Sequence, residues 1–162
     1  MKTTIRNVEI KSVAEWLPAN KISLLSFCGS FPEKQVRDVI RSSGAEYVYR
    51  AEEGQKASDL CFNAAEHLIE RDNIDRSSID GLVFVSSTRE WIIPDTAVSL
   101  QHRLGLSTET VCQDINYGCT GYIYGLLQAS AWINCGMCRN ILVLCSEVLT
   151  PYLDSHAVGS IE

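Results

Sequence analysis

The 36 residues from Val111 to Ser146 constrain this chain most, because they read as buried strand, tight turn, helix and second buried strand in direct succession. Val111–Ile115 is a short run with β-branched residues at both ends, and Asn116-Tyr117-Gly118 follows, where the glycine permits a sharp strand-to-helix turn. Cys119 is then expected on the first turn of a helix reaching about residue 134, with Gly136 as its C-cap and residues 141–145 as the next strand. A helix start offers N–H donors and the positive end of a dipole, which favour a thiolate and can stabilise an oxyanion. The pattern is that of a nucleophile.

Flanking segments point to the same architecture. Val8–Val13 alternates enough for a strand, closed by Trp16-Leu17-Pro18 before a polar link at Asn20-Lys21. Pro32 suits the first turn of a helix whose apolar face is Val36, Val39 and Ile40 and whose end is Gly44. Tyr47–Arg50 has strand character, and Glu52–Lys56 reads as an exposed loop. Ser58 or Asp59 can cap a helix in which Leu60, Ala64, Ala65, Leu68 and Ile69 form a stripe through about Arg71. Leu82–Val85 is a continuous apolar strand of the kind buried on both faces. Pro94-Asp95-Thr96 starts another helix, carrying Val98, Leu100, Gln101 and Leu104 and stopped by Gly105. Strands alternating with helices predict an α/β layered fold with a largely parallel or mixed sheet. Beyond Ser146 the pattern fades.

At 162 residues, 46% hydrophobic and 21% charged, the chain suits one globular domain rather than a disordered segment. A net charge of -6 without any basic run argues against a nucleic-acid or anionic-membrane surface. No apolar stretch has the roughly 18 residues that span a bilayer. Residues 1–20 also lack a signal core, so a cytoplasmic location is expected. Seven cysteines, an odd number set mostly in apolar segments, suit free thiols better than a disulfide framework.

Several residues compete for a chemical role. Cys119 is either a nucleophile or a small apolar residue packed beneath its turn, and Gly121 and Gly125 suggest close approach by another backbone. Cys135 and Cys138 form a Cys-x-x-Cys pair, open to redox chemistry, but a zinc site needs four ligands and no second pair exists, so no metal is expected. His67 and His102 fall on helices among polar neighbours and read as solvated surface; His156, in the tail, is a possible partner of Cys119. Asp114 reads as an end-of-strand hydrogen-bonder rather than a charge partner of the turn. Phosphate-cradling glycine loops are absent.

Asp114-Ile115-Asn116-Tyr117-Gly118-Cys119-Thr120-Gly121-Tyr122-Ile123-Tyr124-Gly125-Leu126 resembles the active-site segment of β-ketoacyl-acyl-carrier-protein synthase III and its thiolase-superfamily relatives. Ser86-Ser87-Thr88, Ile93-Pro94, Gln101, Leu104-Gly105 and Leu142–Ser146 followed by Glu147 are similar to that family in order and spacing. The resemblance covers about residues 59–149 and implies a thiolase-like fold, with residues 1–162 as an N-terminal domain cut before the second half. It implies that Cys119 accepts an acyl group from a thioester for decarboxylative condensation with a malonyl thioester, its backbone N–H helping to form an oxyanion hole. It also implies a homodimer in which Ile93 enters the partner's acyl pocket.

The family's His and Asn belong to the second half, and its Gly-Asp-Gly-Ala-Gly segment does not follow residues 141–145. Little or no condensing activity is therefore expected of this chain alone. Asp38 and Glu46 stand where the family has the Trp and Arg that hold the coenzyme A adenine, leaving the donor open between coenzyme A and an acyl-carrier protein. No tightly bound cofactor is expected. The alternative is an inactive or split-gene fragment acting through protein–protein association, since missing strands would leave an apolar edge.

Overall fold

The computed structural model describes residues 4–152. The chain forms two compact units, one made of the stretch up to Trp16 with Lys56–Glu147, the other of Leu17–Gln55 with the stretch from Val148 onward.

The first unit alternates helix and strand as α2 (Ala57–Arg71), β3 (Gly81–Val85), α3 (Thr96–Arg103), β4 (Val111–Ile115), α4 (Gly121–Asn134) and β5 (Ile141–Cys145), taking numbers from the whole chain. Its sheet has the order β4-β3-β5, parallel throughout. Central β3 is buried at every position, which accounts for its unbroken apolar run. Val83 pairs with Gln113 and Val143, and Val85 with Ile115 and Cys145, so each trio shares a sheet face. Val83 and Val85 pack with Trp132 and Cys138, edged by Val111, Ile115 and Ile141. Leu82 and Phe84 turn to the opposite face and are fully buried; such side chains each contribute about 1.5–3 kcal/mol.

Asp114 lies on that opposite face and reaches α3, where it accepts the N–H groups of Thr96 and Ala97 at 2.8 Å each. The expected end-of-strand hydrogen-bonder is thus the cap of a helix. Gly105, at φ +63°, ends the α3 turn as expected. The start of α2 differs from expectation: Lys56 is its N-cap and Asp59, at the third helical position, reaches back to the Lys56 N–H at 2.9 Å. Asp59 therefore serves the helix end from inside the helix, and Ser58 is buried.

The second unit holds β1 (Asn20–Ser23), α1 (Glu33–Ser43) and β2 (Tyr47–Arg50). β1 pairs antiparallel with β2, Ile22 opposite Val48. Leu24, Phe31, Val36 and Val39 form the core against which Val48 packs. Gly44 ends α1 at φ +73°, its N–H on the Ile40 carbonyl at 2.9 Å. The strand expected at Val8–Val13 does not form, and the stretch expected as a polar link at Asn20-Lys21 is a strand. Alternation alone cannot make a strand without a ladder. Val8–Val13 leaves Ile10 and Val13 exposed and is held by Arg71, which donates to the Val13 carbonyl at 3.2 Å. In β1 the polar residues are tolerated because one ribbon face is open, with the Lys21 ammonium 4.1 Å from the Tyr47 ring centroid.

Candidate active site

The carboxyl ends of β3, β4 and β5 are stitched together beyond the ladder itself. Ser86 donates its N–H to Ile115 at 3.2 Å, and Ser146 donates to Val85 at 3.3 Å. The loops that leave these strands, residues 86–95, 116–120 and 146–147, therefore start from one edge of the sheet. That edge is where open α/β sheets bind ligands.

Cys119 lies in the middle loop and is exposed. It does not sit on the first turn of α4, as the sequence suggested, but two residues earlier. Gly121 donates its N–H to Gly118 at 2.7 Å, closing a tight turn around Cys119 and Thr120 before the helix begins. Tyr117 enters the turn with its N–H on Ile115 at 3.1 Å and its ring stacked on Tyr124, centroids 4.7 Å apart. On the exit side, Gly121 and Gly125 bring α4 down onto Val85 and Val143, so valine side chains rather than another backbone fill the space. A thiol open to solvent thus stands on a turn braced at both ends. Such a thiol can be reached by a thioester, and the adjoining helix start is a suitable environment for an oxyanion.

Four of the remaining thiols are less suited to attack. Burial pushes Cys61 well above the ordinary thiol range, with Cys145, Glu90 and Glu147 adding to it. Burial also pushes Cys112 up to about 11, helped by Asp114 and Asp95. Cys138 is raised by burial, Asp80 and Cys135, the opposite of what a redox Cys-x-x-Cys requires. Its Sγ donates to the Asp80 carbonyl at 3.5 Å, while the Asp80 carboxylate accepts from Arg139 and Asn140, so the pair helps to shape the entry to β5. Cys145 is raised by burial and then by Glu147.

Among the described residues no group of three or more His, Cys, Asp or Glu is arranged to hold a metal. His67 lies on α2, its ring 6.5 Å from that of Trp16, and His102 is on the last turn of α3. Both are exposed, as expected. His156 lies outside the described residues.

Ile93 precedes Pro94 through a cis peptide and is 85% exposed, beside Ile92 at 79% and Trp91 at 58%. Of two further carboxylates on this edge, Glu90 had no separate signal in the sequence and Glu147 was marked only through the resemblance. Glu147 is seated on residues 86–88, and Glu90 accepts the Ser58 N–H at 2.9 Å. Asp114 is itself half-buried, its carboxyl raised by burial against the lowering effect of the Ala97 and Thr96 N–H groups.

The model of the family 3-oxoacyl-[acyl-carrier-protein] synthase III matches residues 113–161, a span that contains the Cys119 turn. A putative 3-oxoacyl-[acyl-carrier-protein] synthase 3 of Campylobacter jejuni is 31% identical over 156 residues, covering 94% of this chain and 44% of that protein. By sequence and by fold the chain is similar to the synthase III family. A β-ketoacyl-[acyl-carrier-protein] synthase III of Neisseria meningitidis is 28% identical over 146 residues, 90% of this chain and 45% of its own length. The crystal structure of a 3-oxoacyl-(acyl-carrier protein) synthase from Burkholderia xenovorans superposes with a TM-score of 0.84 at 29% identity, covering 92% of this chain and 44% of that one. The fold is thiolase-like. The chain spans less than half the length of the curated relatives it matches.

Proposed function

We propose that Cys119 is the acyl-accepting nucleophile of a synthase-III-type acyltransferase. The observation that carries this reading is the exposed thiol on the tight Gly118–Gly121 turn at the carboxyl edge of the parallel sheet. The sulfur attacks the carbonyl carbon of an acyl thioester, and the negative charge passes to the carbonyl oxygen, where the Cys119 N–H is a donor. Collapse restores the carbonyl and breaks the bond to the original sulfur, which leaves as a thiol after taking up a proton. Cys119 is left as a thioester. In the family this acyl group is condensed with a malonyl thioester on a carrier protein, with loss of carbon dioxide. The acyl transfer is the part of that sequence that the exposed Cys119 turn supports.

The substrate is an acyl thioester of coenzyme A or of an acyl-carrier protein, and no tightly bound cofactor is called for. The position of Asp38, ion-paired with Arg41 at 2.7 Å, supports leaving both donors open. Residues 1–162 are read as the N-terminal thiolase-like domain of a cytoplasmic homodimeric enzyme, with Ile93 lining the partner's acyl pocket; its exposure supports that role. Incubation with acyl thioesters followed by mass spectrometry of peptides tests the reading. The adduct is expected on Cys119 and absent from Cys119→Ser; labelling of Cys135 or Cys138 in preference would overturn it.

A second reading has its own observation. α4 carries no charged residue. It presents Gly121 and Gly125 to the sheet and leaves Tyr122, Ile123, Tyr124 and Leu127 exposed. A helix apolar on all sides is normally buried on all sides. This favours association with a complementary chain as a function in itself, and a monomeric solution mass would count against both association and the dimer.

A further inference from the structure

Residues 86–95 leave β3 at the sheet's carboxyl edge and are fastened by carboxylates along their length. At the root, Glu147 accepts the N–H groups of Ser87 at 2.7 Å and Thr88 at 3.1 Å, and the hydroxyls of Thr88 at 2.9 Å and Ser86 at 3.3 Å. Farther along, Glu90 turns inward: Oε1 takes the Ser58 N–H on the first turn of α2, and Oε2 is buried without a hydrogen-bond partner among the described residues. At the far end Asp95 accepts the Asp114 N–H at 3.3 Å, while Asp114 caps α3. Between the Glu90 and Asp95 anchors stand Trp91, Ile92 and Ile93, apolar and in solvent. An exposed apolar tripeptide gains little from its own burial, so its position is set by what holds its ends.

We propose that Glu147 and Glu90 are positioning residues that hold Trp91–Ile93 in the pose in which it enters the acyl pocket of the partner subunit and meets the acyl group carried by Cys119 of the partner subunit. The inference rests on the acyl-transfer reading above and extends it, because it makes two carboxylates outside the reacting atoms determinants of acyl length. Glu147 gathers donors from three consecutive residues and links the loop after β5 to the loop after β3. Loss of its charge frees the root of the segment, and loss of the Glu90 charge frees its middle. Charge-assisted hydrogen bonds to backbone N–H groups are the stronger kind, so each anchor should be felt separately.

Glu147→Gln keeps the side-chain shape but replaces one acceptor oxygen by a donor that faces the existing donors. Arg89 lies between the two anchors and provides a tryptic site. Cleavage after Arg89 is expected to accelerate on the order of 10-fold relative to cleavage after Arg139, as local opening becomes easier. The acylation of Cys119 by acetyl to decanoyl thioesters, each offered on coenzyme A and on an acyl-carrier protein, should change its chain-length preference by about 5-fold or more, without an equal fall at every length. Glu90→Gln and the milder Thr88→Val, which removes one hydroxyl donor, should act in the same direction. A uniform rise at all tryptic sites with a uniform loss of acylation would show a merely structural role and overturn the proposal, as would no change in either. If the parent chain takes up no acyl group on Cys119, the acyl-transfer reading fails. Acyl selection then fails with it, and selective cleavage at Arg89 alone upholds or ends the anchoring claim.

Discussion

A β-carbon added to Gly121 would stand 2.5 Å from Val85 Cγ1 and 2.9 Å from Tyr117 Cβ. Val85 is stiff at χ1 and fully enclosed in the central strand, so neither side of this contact can yield cheaply. Gly121→Ala is expected to cost about 1–3 kcal/mol, the usual range for overpacking. It should also displace the Cys119 turn and slow its acylation. Urea unfolding of Gly121→Ala, Val85→Ala and the double variant checks this, since the double should regain part of the loss. Strict additivity would show that the two residues do not meet.

Asp114 caps α3 from a neighbouring strand, so Asp114→Ala should cost about 1–2 kcal/mol. The pH dependence has a definite sign. Burial raises the folded-state value above the unfolded one, so the native state holds the proton more tightly. The stability associated with this group is therefore greatest below the unfolded value of about 3.9 and falls as pH rises through the raised folded value. Asp114→Asn should lack that slope. Unfolding free energies of parent and variant between pH 3.5 and about 7 should diverge accordingly, and parallel curves would refute the assignment.

Thiol labelling should sort the cysteines by their surroundings. Cys119 and Cys135 are exposed, while Cys61 and Cys138 are buried and both have raised thiols. Iodoacetamide on the native chain should modify the first two and leave Cys61 and Cys138 unreacted until urea is added. Cys112, pushed up to about 11, should react slowly at neutral pH and gain rate as pH rises towards that value. Peptide mass spectrometry over time gives the order, and early modification of Cys61 would contradict it.

Ile123 is 62% exposed on the outward side of α4. Ile123→Glu should leave thermal unfolding within about 0.5 kcal/mol of the parent, as surface substitutions do. If this face docks a partner or a second copy, the same change should shift the solution mass towards monomer. Light scattering of the two proteins decides it.

Local rules carried the parts of the fold that depend on neighbours in the chain. The apolar run at residues 82–85 marked a strand buried on both faces, and Gly44 and Gly105 marked ends where the backbone turns to positive φ. The same locality made the Cys119 turn legible, because a strand, a glycine and a helix lie within a few residues of it. It also misplaced the helix start by two positions, since the tight Gly118–Gly121 turn comes from a hydrogen bond that periodicity does not register.

From residue order alone, then, came the alternation of strand and helix and the presence of a thiol at one strand-to-helix turn. Tertiary structure decided everything that needs two distant segments to meet. It put Asp114 on α3 across 17 and 18 positions and seated Glu147 on residues 86–88 across 59 to 61. It made a strand of Asn20–Ser23 rather than Val8–Val13 because β2 was there to pair with it. Periodicity and backbone preference act within a few residues, whereas burial, pairing and capping depend on what the folded chain brings alongside.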